Sequence, residues 1–90
     1  MRYRVLFSAT ARQSIRRIPK EYALKIVEAL EALAGEGDPR KHVKKIRGGQ
    51  NPPFYSLRVG EYRAVLTIVD EVMVIHVIEV GHRRSVYRDY

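Results

Sequence analysis

Ninety residues with 17 Lys and Arg against 10 Asp and Glu carry a formal charge of +7, with a pI near 10.1. That length fits one domain, 1–90, with a single small core, and a hydrophobic content of 46% argues against disorder. The absence of cysteine excludes disulfides and thiolate metal sites, and no apolar run approaches the roughly 20 residues of a membrane span.

The charge points to an acidic partner: nucleic acid first, then an acidic protein, then a membrane surface, with solubility alone as the bland reading. The apolar run within MRYRVLFSATAR is too short for a signal peptide, and a cysteine-free chain fits a reducing cytoplasm.

Arg2 to Phe7 alternates, with Tyr3, Val5 and Phe7 on one side, and predicts a short strand. Thr10 followed by Gln13 fits a helix-opening capping box. Ala11, Ile15 and Ile18 then recur at helical spacing until Pro19 ends the helix. A second helix is expected over 21–34, where Ala23, Ile26, Val27, Leu30, Leu33 and Ala34 form one apolar stripe. Gly35, Gly37 and Pro39 stop it, and the short link at Pro19 predicts a helical hairpin. RKHVKKIRGG follows, with five basic residues in its first eight, and predicts a loop with a short strand around Val43 to Ile46.

From Phe54 the pattern is β. Strands are expected at about 54–59, 62–69 and 72–80, with tight turns at Gly60-Glu61 and Asp70-Glu71. The first turn pairs Val59 with Tyr62, Arg58 with Arg63, and Ser56 with Val65. Continued across the second, the pairing predicts Thr67 with Val74, Val65 with His76, and Arg63 with Ile78. One face (Leu57, Val59, Tyr62, Ala64, Leu66, Ile68, Met73, Ile75, Val77) is nearly all apolar and should pack on the helices. The other (Ser56, Arg58, Arg63, Val65, Thr67, Val74, His76, Ile78) is mixed and should stay partly open to solvent or ligand. The fold class is therefore α+β: an N-terminal strand, a helical hairpin, then a three- to four-stranded antiparallel sheet.

Arg58 opposite Arg63 is a like-charge pair that destabilises a sheet unless something compensates. A bound phosphate would, since guanidinium groups are forked, permanently charged donors; two solvated edge arginines are the plain alternative. Arg83 and Arg84 follow the strand that neighbours Arg63. Tyr87 and Tyr90 either stack on bases or pack at the core rim. The basic run, including Lys44, Lys45 and Arg47, is either a solvated face or a phosphate track. Of the three histidines, His76 reads as a sheet histidine, whereas His82, beside Arg83, is the better site candidate. No spacing among them resembles a metal motif, and no nucleotide-binding glycine loop is present, so neither a metal nor a cofactor is expected.

The ordered set YRVLFSATA, a helical hairpin, FYSLRVGEYRAVLTIVD and VMVIHVIEVGHRRSVYRDY resembles the RelE/ParE superfamily of toxin–antitoxin toxins, on the RelE side. The strings L-R-V-G-x-Y-R and V-G-H-R-R-x-V-Y carry that resemblance, which spans almost the whole chain. It implies a β-sheet with two helices on one face and a ribosome-dependent messenger-RNA endonuclease acting in the cytoplasm. In such toxins the ribose 2′-oxygen attacks the adjacent phosphate of the A-site codon. The resemblance implies that Arg63 and Arg83 stabilise the charged transition state. Tyr87 would stack on the base and be placed to assist proton transfer, and Arg58 would hold phosphate. Ser56 stands where some relatives carry lysine, which leaves the acid–base roles to Tyr87, His82 or His76, or to positioning alone. RNA contacts would come from Arg58, Ser56, Lys44, Lys45, Arg47, His82 and Arg84. The implied partners are a RelB-like antitoxin, the ribosome and messenger RNA, with DNA met only through the antitoxin complex and no membrane. The alternatives are a ParE-like inhibitor of DNA gyrase and a non-catalytic member that binds antitoxin or RNA.

Overall fold

The computed structural model describes residues 2–46, 52–82 and 84. It opens with the expected strand, β1, over Arg4–Phe7. Helix α1 covers Ala9–Arg17 and helix α2 Lys20–Ala34, separated by Ile18 and Pro19 as the proline predicts. The cap of α1 is Ser8 rather than Thr10: its Oγ accepts from the Ala11 N–H at 3.0 Å and donates to the Ile78 carbonyl at 2.6 Å. Ser8 wins because it serves two ends at once, whereas a cap at Thr10 would leave the Ile78 carbonyl without that donor.

A 3-10 turn over Pro39–His42 leads into β2, Lys44–Lys45. Then come β3, Tyr55–Val59, and β4, Tyr62–Val69; a second 3-10 turn, Asp70–Val72, leads to β5, Val74–His82. These five strands form one sheet in the order β1-β5-β4-β3-β2. β1 runs parallel to β5 and every other pairing is antiparallel. The sheet is thus wider than the three or four strands expected: β1 joins it, and the two residues of β2 add an edge. The connection from β1 to β5 runs through both helices and the strands β2 to β4, which leaves ample chain for the parallel pairing.

The first hairpin pairs as predicted, with Val59↔Tyr62, Arg58↔Arg63 and Ser56↔Val65. Gly60 takes φ +61°, a left-handed value that glycine adopts without a Cβ clash. The second hairpin corrects the expected register. Thr67 meets His76 rather than Val74, Val65 meets Glu79 rather than His76, and Arg63 meets Gly81 rather than Ile78. Two causes add. The turn is longer than Asp70-Glu71, because Asp70–Val72 is a 3-10 turn closed by Met73 in the left-handed region at φ 54°, its N–H donating to the Asp70 carbonyl. A bulge between Val65/Glu79 and Leu66/Val77 then leaves Ile78 as an extra residue. The Ile78 carbonyl is the one Ser8 holds, so the cap of α1 and the bulge secure each other.

The apolar face packs on the helices as expected. Ile26, Leu30, Leu33 and Ala34 of α2 and Ala11 of α1 close over Tyr55, Ala64, Leu66, Ile68, Ile75, Val77 and Val80. Each large aliphatic fully removed from water there contributes roughly 1.5–3 kcal/mol. Val80 belongs to this core only because of the bulge; strict alternation from Val77 would have turned it outward. The opposite face is less open than its mixed composition implies. Val65 is fully buried in a second, small cluster with Ile46, against which Phe54 and Ile78 pack. Ser56 and Thr67 are buried as well.

The far end of the sheet is held by a polar clasp. The Tyr3 hydroxyl donates to Asp70 Oδ1 at 2.8 Å, and Arg40 donates to the same oxygen at 3.0 Å and to the Ile68 carbonyl at 3.2 Å. Asp70 is held below the usual carboxylate range, first by Arg40 and then by Tyr3, while the hydrogen bond that Tyr3 donates to it pushes that phenol up. The clasp ties β1, the 3-10 turn before β2 and the β4–β5 turn together. Among the described residues no helix is long and apolar enough to cross a membrane.

Candidate functional site

The site starts from the first hairpin. Five residues of β3 and eight of β4 form a twisted ribbon, and Gly60 brings Arg58 and Arg63 directly opposite each other two residues from its tip. Arg58 is exposed, and its Nε donates to the Gly60 carbonyl at 3.3 Å, which folds the guanidinium back over the turn. Arg63 is half-buried, with its Nε shielded from water. One guanidinium is thus presented to solvent and the other is set into the sheet at its base.

β2 adds a third cation to this face. Lys44 pairs with Ser56, placing it on the same face as Arg58 and Arg63, about 4.5–5.5 Å from Ser56 between Cβ atoms. Ser56 itself is buried, only 3% exposed. Lys45 pairs with Tyr55, a core-facing residue, and alternation therefore sends it to the other side of the sheet. Of the adjacent Lys44 and Lys45, only the first shares a face with the arginines.

The bulge rearranges β5. Glu79, opposite Val65, shares a face with Arg63 as its diagonal neighbour, about 7–8 Å away. Nothing in the alternation of β5 signals this, because unbroken alternation from Val77 assigns Glu79 to the core side. His76 pairs with Thr67, four residues along β4 from Arg63 and so about 13 Å distant. His76 therefore stands apart from the arginine pair along the sheet. His82 pairs with Tyr62 and lies on the helix side, its ring edge-on to the Tyr62 ring with centroids 6.0 Å apart. The Arg84 N–H donates to His82 Nδ1 at 3.3 Å, so the neutral ring carries its proton on Nε2. The expected site residues Arg47, Arg83 and Tyr87 lie outside the described residues.

The sheet end thus gathers Arg58, Arg63, Lys44 and Glu79 on one face and His82 on the other. A cationic pair with a carboxylate alongside can hold a phosphate, stabilise charge developing on its oxygens and accept a proton next to it. Among the described residues no group of three or more His, Asp or Glu is placed to bind a metal.

The family model described as the ParE toxin of the type II toxin-antitoxin system, parDE, matches residues 5–87. Toxin RelG of Mycobacterium tuberculosis is 34% identical over 89 residues, which cover 98% of this chain and 99% of that protein. The toxin–antitoxin complex RelBE2 of the same organism contains a chain of 29% identity with a TM-score of 0.79, over 92% of this chain and 93% of that one. In the archaeal RelE–RelB complex from Pyrococcus horikoshii OT3 the identity is 25% and the TM-score 0.75, over 94% of this chain and 99% of that one. A mutant of the E. coli toxin RelE in the free state matches at 25% identity and a TM-score of 0.76, over 94% and 88%.

Proposed function

The chain belongs to the ParE toxin family of type II toxin–antitoxin systems, and from that premise we propose that it is a ribosome-dependent endoribonuclease that cuts messenger RNA in the A site and so inhibits translation. The observation that carries this reading is the opposed pair Arg58↔Arg63 with Lys44 on the same face, three cations grouped at one sheet end as a phosphate would need.

In the proposed reaction the scissile phosphate lies against Arg58 and Arg63. The ribose 2′-oxygen bonds to phosphorus, the bond to the 5′-oxygen breaks, and a 2′,3′-cyclic phosphate and a 5′-hydroxyl result. Arg63, half-buried, stabilises the charge that develops on the phosphoryl oxygens, with Arg83 as its expected second, while Arg58 clamps the substrate. The 2′-hydroxyl proton needs an acceptor and the 5′-oxygen a donor. Arg58 serves neither role, because a guanidinium keeps its proton at any cellular pH. Glu79 is assigned as acceptor on the strength of its place beside Arg63. Lys44 is assigned as donor: it stands on the neighbouring strand opposite Ser56, the position that lysine occupies in some relatives. Tyr87 stacks on the substrate base.

A RelB-like antitoxin is proposed as partner, in line with the complexes in which similar chains are found; its acidic segments would neutralise the basic surface, and contact with DNA would come only through that complex. Purified protein added to programmed ribosomes tests the nuclease reading: cuts at the A-site codon, lost on Arg63→Ala, are expected. The description of the matching family model favours a second reading, a ParE-like gyrase inhibitor. Gyrase-dependent DNA breaks with no cut messenger RNA would establish it instead.

A further inference from the structure

On the helix side of the hairpin tip, across the sheet from Arg58 and Arg63, lies a cavity of about 390 Å³. Its walls come from α2, both strands and the turn of the first hairpin, and β5. Tyr22 and Lys25 project from the start of α2, Glu61 and Tyr62 from the turn and first residue of β4, and His82 from the last residue of β5. The Tyr22 and Tyr62 rings are 5.6 Å apart between centroids and tilted by 40°, and the His82 ring stands edge-on to Tyr62. Lys25 Nζ is 5.9 Å from the Tyr22 centroid. Tyr22 is 43% exposed, an aromatic at the start of α2 that rests on Tyr62 at the core rim and leaves much of its ring open to solvent.

We propose that this cavity is a nucleobase pocket, which receives the base of a messenger-RNA nucleotide flanking the one whose phosphate is held by Arg58 and Arg63. The proposal rests on the RNA reading above and extends it to base selection. Rings set at angles to one another offer a π-face to any base, which is how single-stranded RNA is gripped. The polar groups add preference. Glu61 is an acceptor, suited to the exocyclic amine of cytosine or adenine and not to the O4 carbonyl of uracil. Lys25 and the Nε2–H of His82 are donors to ring nitrogens or to the next phosphate. Gly60 and Glu61 belong to the same turn that Arg58 and Arg63 flank, so one short hairpin carries both the phosphate clamp and a wall of the pocket. A strand crossing the tip meets the two in succession.

The test has two arms on the full-length protein. In the first, CMP, AMP and UMP are titrated and followed by NMR. Shifts at Tyr22, Tyr62 and His82 that are larger for CMP and AMP than for UMP are expected; no shift at these rings with any nucleotide overturns the proposal. In the second, cleavage is measured on ribosomes carrying codon sets varied at each position. Tyr22→Leu should raise KM by about tenfold, an effect larger than that on kcat, as loss of one stacked base predicts, and Tyr22→Phe should restore it. Glu61→Gln should reduce the discrimination against uracil at one codon position. If wild type and Tyr22→Leu cut all codons alike while Tyr22→Leu weakens only the binding of an antitoxin, the pocket is a protein dock and the proposal is wrong. If the protein cuts no RNA yet binds CMP at these rings, the nuclease reading fails and the pocket stands.

Discussion

Arg58 and Arg63 stand directly opposite each other across the first hairpin, and Arg58 turns its Nε onto the Gly60 carbonyl at 3.3 Å, over the turn between them. Like charges in that position oppose folding and favour anion binding. Replacing Arg58 by Gln should therefore stabilise the free protein by roughly 0.2–1 kcal/mol at low salt, with the gain fading as salt screens the pair. The same change should weaken ribosome-bound cleavage. Arg63→Ala should cost about 10²- to 10³-fold in kcat. Urea melts at two salt concentrations, beside cleavage assays, check both; a destabilised Arg58→Gln protein would contradict the site reading.

Lys44 and Lys45 are adjacent in sequence and face opposite sides of the sheet. Lys44→Met should lower cleavage and reduce the slope of log affinity against log salt for single-stranded RNA by about 0.7, the value for one lost phosphate contact. Lys45→Met should change both less. Equal effects would mean that the run binds RNA as an undifferentiated charged segment.

Glu79→Gln should lower kcat by about 10²-fold or more if Glu79 accepts the 2′-hydroxyl proton. His76→Gln, about 13 Å away along the sheet, should leave it unchanged. Single-turnover cleavage across a pH series separates them.

The clasp at Asp70 predicts a pH dependence of stability. Its carboxyl titrates lower in the folded protein than in the unfolded chain. Its contribution is therefore present above the unfolded value, near 3.9, and lost as pH falls through the folded one. Asp70→Asn should narrow its deficit against wild type as pH drops below about 4. Tyr3 is shifted the other way, upward. What it contributes holds below its unfolded value, about 10, and is lost as pH rises through the folded one. Tyr3→Phe should flatten that alkaline loss. Thermal melts across pH 2–11 would reveal either sign error.

Ser8 holds the Ala11 N–H and the Ile78 carbonyl together. Ser8→Ala should cost about 1–2 kcal/mol for the cap and the second bond, whereas Thr10→Ala should cost less. Because the Ile78 carbonyl lies at the bulge, amide exchange near Val65 and Glu79 should quicken in Ser8→Ala and not in Thr10→Ala.

Local pattern alone was enough for the helical hairpin, the strands and the Arg58↔Arg63 register. Apolar residues at period 3.6 or 2 leave few choices, Pro19 breaks a helix wherever it stands, and Gly60 supplies a left-handed turn residue without help. Tertiary structure decided what no local pattern encodes. Met73 takes a left-handed conformation where it closes the 3-10 turn at Asp70, the residue that Tyr3 and Arg40 hold. Ile78 is bulged out where Ser8, seventy residues away in sequence, takes its carbonyl. Those two long-range contacts shift β5 along β4. The shift carries Val80 into the core, moves Glu79 beside Arg63, draws His76 away and places His82 on the helix side with Tyr62. A strand's period sets which side chains share a face, but its register against a neighbour depends on hydrogen bonds made by distant residues. The opposed arginines were therefore readable from the sequence, and the groups that stand around them were not.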